Sequence, residues 1–361
     1  MKIGIVGLPN VGKSTLFNAL TKNYGADAQN FPFCTIEPNV GLVNVHDERL
    51  EKIRVAVNGA KIIPASCEFI DIAGIVKGAS EGEGMGNKFL ANIREADAIL
   101  QVVRIFENGD IIHVHGEVNP KNDIEVINAE LIIADIETTT KRIQSESKKA
   151  RSDKELLEKV KTLELALEGL EAGNLVSSMP WSDEQKLHLR DSHLLTNKQF
   201  VYACNVSEEM MDSTSDELKK IIGVQDANTQ VVSICAKLEE DMLEMSLEEK
   251  KEFLDDMELV STGLDNLIKA SYDALGLQYY FTAGEQEVRA WTVKKGASAP
   301  QAAGVIHTDF EKGFIKADVV KATDIIEHGG WSKAREAGKV KLEGKDYIVQ
   351  DGDVMLFKFS K

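Results

Sequence analysis

The sequence predicts an α/β protein: a doubly wound, mostly parallel sheet carrying a phosphate-binding loop, interrupted by a helical coiled coil and followed by a smaller β-rich domain. Three observations predict it. The apolar run Ile3-Gly4-Ile5-Val6 passes directly into Gly7-Leu8-Pro9-Asn10-Val11-Gly12-Lys13-Ser14-Thr15, a G-x-x-x-x-G-K-[ST] spacing, and then into the helical pattern Thr15-Leu16-Phe17-Asn18-Ala19-Leu20. Further on, strand-like and helix-like runs alternate, as they do where parallel strands are joined by helices. From about Asp123 to Gly173 the pattern changes to long helices rich in Glu and Lys with an apolar seam.

Composition sets the outer limits. A chain of 361 residues suggests two or three domains, and 43% hydrophobic with 28% charged residues reads as soluble and globular. The net charge of −17 argues against a surface that clings as a whole to nucleic acid or anionic membrane. Cys34, Cys67, Cys204 and Cys235 form no C-x-x-C pair, so neither a zinc site nor a disulfide framework is expected. Without an apolar run approaching ~18 residues, no membrane span is expected. The chain enters a strand at once, with no room for a signal peptide, so the expected location is cytoplasmic.

The glycine-bounded loop has a physical reason. A polyphosphate is densely anionic, and backbone N–H groups at a helix N-terminus, aided by the helix dipole, favour an anion there. Gly7 and Gly12 allow the turn and the close approach of the backbone. Lys13 is placed to reach the β and γ oxygens, and the Ser14 hydroxyl to ligate Mg²⁺.

Next comes Gln29-Asn30-Phe31-Pro32-Phe33-Cys34-Thr35-Ile36-Glu37-Pro38-Asn39, whose prolines bar a helix or central strand. A loop threonine is either simply solvated or, as in nucleotide switches, part of a Mg²⁺ shell. The place of Thr35 between the phosphate loop and the next motif favours the ligand. That motif, Asp71-Ile72-Ala73-Gly74 at the end of a strand, matches D-x-x-G: the Asp71 carboxylate would serve Mg²⁺, and the Gly74 N–H would report a γ-phosphate. One departure is informative. Where Ras-like enzymes place a water-orienting Gln just after the glycine, this chain has Ile75, which has no donor or acceptor. Hydrolysis then needs another group, and either His113 or His115 in Ile111-Ile112-His113-Val114-His115 offers one that titrates near neutrality.

Phe89 to Ala96 reads as a helix and Ala98 to Val103 as a buried strand. Leu156, Val160, Leu163, Leu167 and Leu170 recur at coiled-coil spacing, with Ile132, Ile136, Thr139 and Ile143 as a weaker seam upstream. These helices pair as a projecting antiparallel hairpin or pack as an ordinary amphipathic face. Gln199 to Cys204 returns to strand and ends at Asn205-Val206-Ser207-Glu208, where GTPases carry N-K-x-D. Val206 replaces the lysine and Glu208 the aspartate, so the carboxylate that accepts from guanine N1–H and its exocyclic amine is displaced and guanine preference should be lost. A last strand, Gln230 to Cys235, leads to Ala236-Lys237, where the final loop closes over the base.

Together these stretches resemble the Obg-like ATPase, or YchF, family of translation-factor-class P-loop proteins. The motifs are G-L-P-N-V-G-K-S-T, N-F-P-F-C-T at Asn30 to Thr35, D-I-A-G-I-V-K-G-A at Asp71 to Ala79, N-V-S-E at Asn205 to Glu208, and the run from Thr282-Ala283-Gly284 onward. The resemblance implies a G domain at 1–122 and 198–277, a helical coiled-coil insertion at 123–197 and a TGS domain at 278–361. It implies Mg²⁺-dependent ATP hydrolysis in preference to GTP, with Ile75 as the family's own pattern and His113 matching its proposed catalytic histidine. Asn10 matches a loop asparagine that resembles a K⁺ ligand in potassium-stimulated relatives. Ribosomes, the large subunit foremost, and RNA are the implied partners.

The expected nucleotide contacts are therefore Asn10, Val11, Gly12, Lys13, Ser14, Thr15, Gly74, Asn205, Val206 and Glu208, with Ser14, Thr35 and Asp71 around the metal. Two rival readings stay open: a conventional GTPase, and an RNA- or ribosome-binding module whose nucleotide is structural. Composition adds one independent hint. Residues 278–361 carry 13 Lys and Arg against 12 Asp and Glu, leaving −18 on the rest of the chain. Arg289-Ala290-Trp291-Thr292-Val293-Lys294-Lys295 interleaves bases with an aromatic, so a locally basic face on the β-rich domain would suit RNA phosphates.

Overall fold

Buried aliphatic strands run through the centre of the sequence order. The structure, a computed structural model, describes residues 1–25, 39–72, 85–107, 118–150, 153–257, 259 and 261–360. In chain order, β1 (Lys2–Val6) leads to α1 (Lys13–Tyr24), then β2 (Val40–Asn44), α2 (Glu48–Val57), β3 (Ile62–Ile63) and β4 (Ser66–Asp71). α3 (Met85–Glu95) and β5 (Ala98–Arg104) follow, then α4 (Pro120–Ala150), α5 (Lys154–Glu171), α6 (Asp183–Arg190) and β6 (Gln199–Asn205). The first sheet closes with α7 (Ser215–Ile222), β7 (Gln230–Ile234), α8 (Ala236–Asp241), α9 (Leu247–Asp256) and α10 (Gly263–Ala274).

That sheet has the order β2-β4-β1-β5-β6-β7, and β4, β1, β5, β6 and β7 pair in parallel. Central parallel strands are covered on both faces and so read as continuous apolar runs. β5 shows it: all seven residues are buried, including Gln101 and Arg104. The register sets Asp71 beside Ile5, Val6 beside Gln101 and Asn205 beside Arg104, so β1 and β4 end together and β5 and β6 run on past them.

The chain divides into two compact units, Met1–Leu42 with Glu68–Ala274, and Val43–Cys67 with Leu275–Lys361. In the first unit, the helical insertion packs around Ile132, Leu163, Ala166 and Leu170, with Ile136 and Ile143 against them. Lys159 pairs with Glu146 at 3.7 Å near the turn, while Ile132 shares a cluster with Leu170, so α4 and α5 run antiparallel. The buried seam of α5 is Val160, Leu163, Ala166 and Leu170, with Leu167 only half-buried. Val176, Leu189 and Leu194 complete the cluster, which makes this a small helical module and not a bare two-stranded coil. Asp135 of α4 ties it to the turn leading into β6 by accepting from Leu195 N at 2.9 Å and Thr196 N at 2.8 Å.

The second unit contains β8 (Leu277–Ala283), β9 (Val288–Lys294), α11 (Ala299–Ile306), α12 (Thr308–Lys312), β10 (Phe314–Lys321), α13 (Ala322–His328), α14 (Trp331–Glu336), β11 (Lys341–Glu343) and β12 (Asp353–Phe359). Its sheet order is β11-β10-β12-β8-β9-β3. The inner face packs Tyr280, Val293, Ala317, Val319 and Met355 onto Ala299, Ala302 and Ala303 of α11.

This two-unit division keeps the helical insertion with the first sheet and assigns one N-terminal segment to the second unit. Val43–Cys67 falls within 1–122 but groups with the C-terminal strands. β3 pairs with β9, Ile62 beside Val288, and Arg49 of α2 lies 5.1 Å over the Phe281 ring while bonding Asp351 at 2.6 Å. A β-α-β pattern looks the same in sequence whichever sheet it joins, so periodicity cannot reveal this exchange.

Candidate nucleotide site

The site is built at the carboxyl ends of the parallel strands, where ligands of open α/β sheets lie. Asn10 at φ 64° and Gly12 at φ 96° both adopt the left-handed conformation, turning the chain sharply between β1 and α1. At Gly12 the need is double. A Cβ there would stand 2.3 Å from Asn205 Nδ2. At Gly7 a Cβ would come within 3.0 Å of Val102 O.

The first turn of α1 carries no acidic residue, so the positive end of the helix dipole is left for an anion. Lys13 Nζ donates to Asp71 Oδ1, and Ser14 Oγ donates to Asp71 Oδ2 at 3.5 Å. The Lys13 and Asp71 side chains are 10% and 17% exposed, so this pair is shielded but reachable. A hydroxyl and a carboxylate converging in this way form a hard-oxygen donor set of the kind Mg²⁺ takes. Thr35, Gly74, Ile75 and His113, the other residues expected at the phosphate end, lie outside the described residues.

Beyond the loop lies a cavity of about 830 Å³ lined by Gly12, Thr15, Phe106, Val206, Glu208 and Lys237, among others. Asn205 borders it and also bonds two backbone groups. Its Nδ2 donates to Val11 O at 2.9 Å, and its Oδ1 accepts from Ala236 N at 3.2 Å. At 5% exposure it clamps the phosphate loop to the start of α8. Val206 is buried, its N–H donating to Ile234 O at 2.9 Å. Glu208 is exposed at the cavity rim, with Glu107, Glu209 and Glu240 also lining it.

Two residues escaped the sequence reading. Arg104, 1% exposed, sets its guanidinium 4.9 Å from the Phe106 ring centroid and donates through Nε to Phe106 O at 3.0 Å. It thereby fixes an aromatic wall of the cavity. A charged residue ending the apolar run Ala98–Val103 was the only signal.

Comparison with known proteins decides the family. A model described as a 50S ribosome-binding GTPase matches residues 2–133, and the model for the C-terminal region of YchF-type GTPases, described as a protein of unknown function, matches residues 277–360. The ribosome-binding ATPase YchF of Bacillus subtilis (strain 168) is 53% identical over 361 residues, covering 99% of this chain and 98% of the relative. The chain belongs to the YchF family. Its counterpart in Haemophilus influenzae, also a ribosome-binding ATPase YchF, is 51% identical over 362 residues and covers 99% of both chains. Among solved structures, the Schizosaccharomyces pombe YchF GTPase superimposes with a TM-score of 0.87 at 36% identity, covering 99% of this chain and 97% of that one. The YchF family thus accounts for the whole length, with a P-loop NTPase sheet and a β-rich C-terminal domain.

Proposed function

We propose that this protein is a ribosome-associated, cytoplasmic P-loop NTPase that binds and hydrolyses ATP in preference to GTP and acts as a nucleotide-dependent switch. The observation that carries the reading is the convergence of Lys13, Ser14 and Asp71 at the N-terminus of α1, beside a cavity where Val206 and Glu208 replace the guanine-reading pair. The relatives named ribosome-binding ATPases at about half identity support the substrate and the partner.

The residues divide the work. The loop from Gly7 to Thr15 wraps the β- and γ-phosphates with backbone donors, and the Lys13 ammonium, now held by Asp71, turns to the phosphate charge. Ser14 and Asp71, with Thr35, would hold Mg²⁺, which neutralises charge on the β and γ oxygens when bound. Asn10 is the matching residue for a K⁺ ligand. Phe106 stacks on the purine, and Asn205 keeps the loop and α8 in register. Because Ile75 cannot orient water, His113 is the residue assigned to position or deprotonate it. Thr35 and Gly74 are the residues assigned to sense a γ-phosphate and so to make the switch.

Turnover measured side by side with ATP and GTP, with and without Mg²⁺, K⁺ and ribosomes, tests the reading. ATP should be hydrolysed faster at equal concentration. Lys13→Ala should lose turnover and change ribosome co-sedimentation; unaltered co-sedimentation under both nucleotides would favour a ribosome-binding module with a structural nucleotide. His113→Ala with unchanged turnover and affinity would remove that residue from the chemistry.

A further inference from the structure

A second cavity opens in the first unit, at the end of the sheet opposite the nucleotide site. Its volume is about 410 Å³, and it lies where β6 and β7 begin, under the first turns of α4. Gln199 at the start of β6 lines this cavity, while Asn205 at the end of the same strand borders the other. At ~3.3 Å per residue the two stand about 20 Å apart.

The walls sort by depth. Phe200 and Tyr202 lie on one face of β6 with their rings 6.2 Å apart and 20° from parallel, and with Ile124 and Ile222 they make an apolar, flat-sided floor. Lys121, Ile124, Glu125 and Asn128 recur at helical spacing, so one face of α4 covers the space. At the mouth, Gly223 adopts φ 77°, and a Cβ there would stand 3.2 Å from Lys121 Cγ, Cδ and Cε. The lysine stem therefore lies flat against the end of α7.

The polar groups of the floor are short of partners. Asn128 bonds the Tyr202 hydroxyl, yet its Oδ1 is buried and accepts nothing among the described residues. Gln101, set beside Tyr202 in the β5–β6 register and 0% exposed, likewise has neither amide atom bonded among them. Buried polar atoms are rarely left unpaired, and a ligand is one source of the missing partner. A phenol hydroxyl donates or accepts, and a carboxamide presents its oxygen or its nitrogen by turning about its last bond. Side by side, Tyr202 and Asn128 match a ligand edge with one donor and one acceptor on adjacent atoms. The mouth sets Lys121 against Glu125 and Asp226, one cation to two carboxylates, which disfavours an attached phosphate.

We infer that this cavity binds an uncharged, planar nitrogen heterocycle by its donor–acceptor edge, of the class of a free nucleobase or nucleoside. The apolar floor packs the ring, Asn128 and Tyr202 read its edge, and the volume suits a molecule of that size. The site shares no lining residue with the nucleotide cavity, so the inference stands apart from the ATPase reading.

The test titrates the full chain with uridine and with inosine, by calorimetry and ligand-observed NMR, without nucleotide and with a non-hydrolysable ATP analogue and Mg²⁺ in excess. The comparison ligands are the two monophosphates, and 3-methyluridine and 1-methylinosine, which lack the N–H of the edge. Tyr202→Phe and Asn128→Ala remove the edge contacts, and Ser177→Trp, at an exposed position of the wall, fills the space without entering the core. Melting curves check that each variant folds. The expected result is saturable binding of at least one nucleoside under both conditions, weakened roughly tenfold in the monophosphate, in the methylated analogue and in each folded variant. Binding that the ATP analogue abolishes and the three variants leave unchanged belongs to the nucleotide site and overturns the inference. A monophosphate that binds as tightly as its nucleoside overturns the uncharged ligand, and a methylated analogue that does so overturns reading by the edge. No saturable binding of either nucleoside at millimolar concentration overturns the site and leaves the ATPase reading standing.

Discussion

The Asn205 carboxamide donates to Val11 O at 2.9 Å while accepting from Ala236 N at 3.2 Å, so one buried side chain joins the phosphate loop to the first turn of α8. Both polar atoms are committed to backbone groups. Asn205→Ala leaves two of those groups without partners, a loss of roughly 1–3 kcal/mol. ATP and GTP affinity should fall together, about tenfold or more, with their ratio unchanged. Calorimetric titration with both nucleotides checks this; a changed ratio would mean that Asn205 also discriminates between the bases.

Gly12 has no room for even a methyl group. With φ at 96° and a Cβ position 2.3 Å from Asn205 Nδ2, Gly12→Ala combines backbone strain with displacement of the clamp. Nucleotide binding should be lost while the second unit keeps its fold. Fluorescent-nucleotide titration beside a melting curve resolves the two effects.

How much of this was legible beforehand depended on whether the information was local. The phosphate loop and Asp71 were readable because their chemistry lies in fixed spacing after an apolar strand, and β5, β6 and β7 because buried parallel strands are continuous apolar runs. The clamp role of Asn205 was not readable, since its partners are 194 and 31 residues away. Arg104 and Phe106 carry no periodic signal, and the grouping of α2 and β3 with the C-terminal strands was not readable because pattern does not say which sheet a strand joins. Of the expected site, Thr35, Gly74 and His113 lie outside the described residues and remain assignments by motif and resemblance.

Glu239 gives the fold a pH dependence. It lies on α8, 1% exposed, and its side chain reaches the N-terminus of α10; burial pushes its carboxyl up to about 7 while the Leu264 N–H, donating to Oε1 at 3.2 Å, offsets part of the rise. Its folded value thus lies above the unfolded 4.5, so its contribution is complete below about 4.5 and is lost as pH rises through about 7. Glu239→Gln keeps the acceptor and removes the charge. Above pH 7 the variant should be more stable than wild type by roughly 1–3 kcal/mol, and the gap should close toward pH 5. Denaturant titrations at several pH values measure it, and a constant gap would contradict the assignment.

Arg49 joins α2 to the C-terminal strands of the second unit. Its guanidinium bonds Asp47 at 2.7 Å and Asp351 at 2.6 Å and lies over Phe281. Arg49→Ala should lower the stability of that unit by about 1–2 kcal/mol through lost bonds and packing, with ATP affinity unchanged. Hydrogen exchange of β8 and β9 should accelerate; unchanged exchange would show that the segment 43–67 is held by apolar contacts alone.

The claim on which the account turns is that the loop at Gly7–Thr15 holds a purine triphosphate whose base is not selected as guanine. Isothermal titration of the wild-type protein with ATP and with GTP, each with Mg²⁺ in excess, tests it most directly. The account predicts tighter binding of ATP and loss of both in Lys13→Ala. Tighter binding of GTP, or no magnesium-dependent heat with either nucleotide, would contradict it.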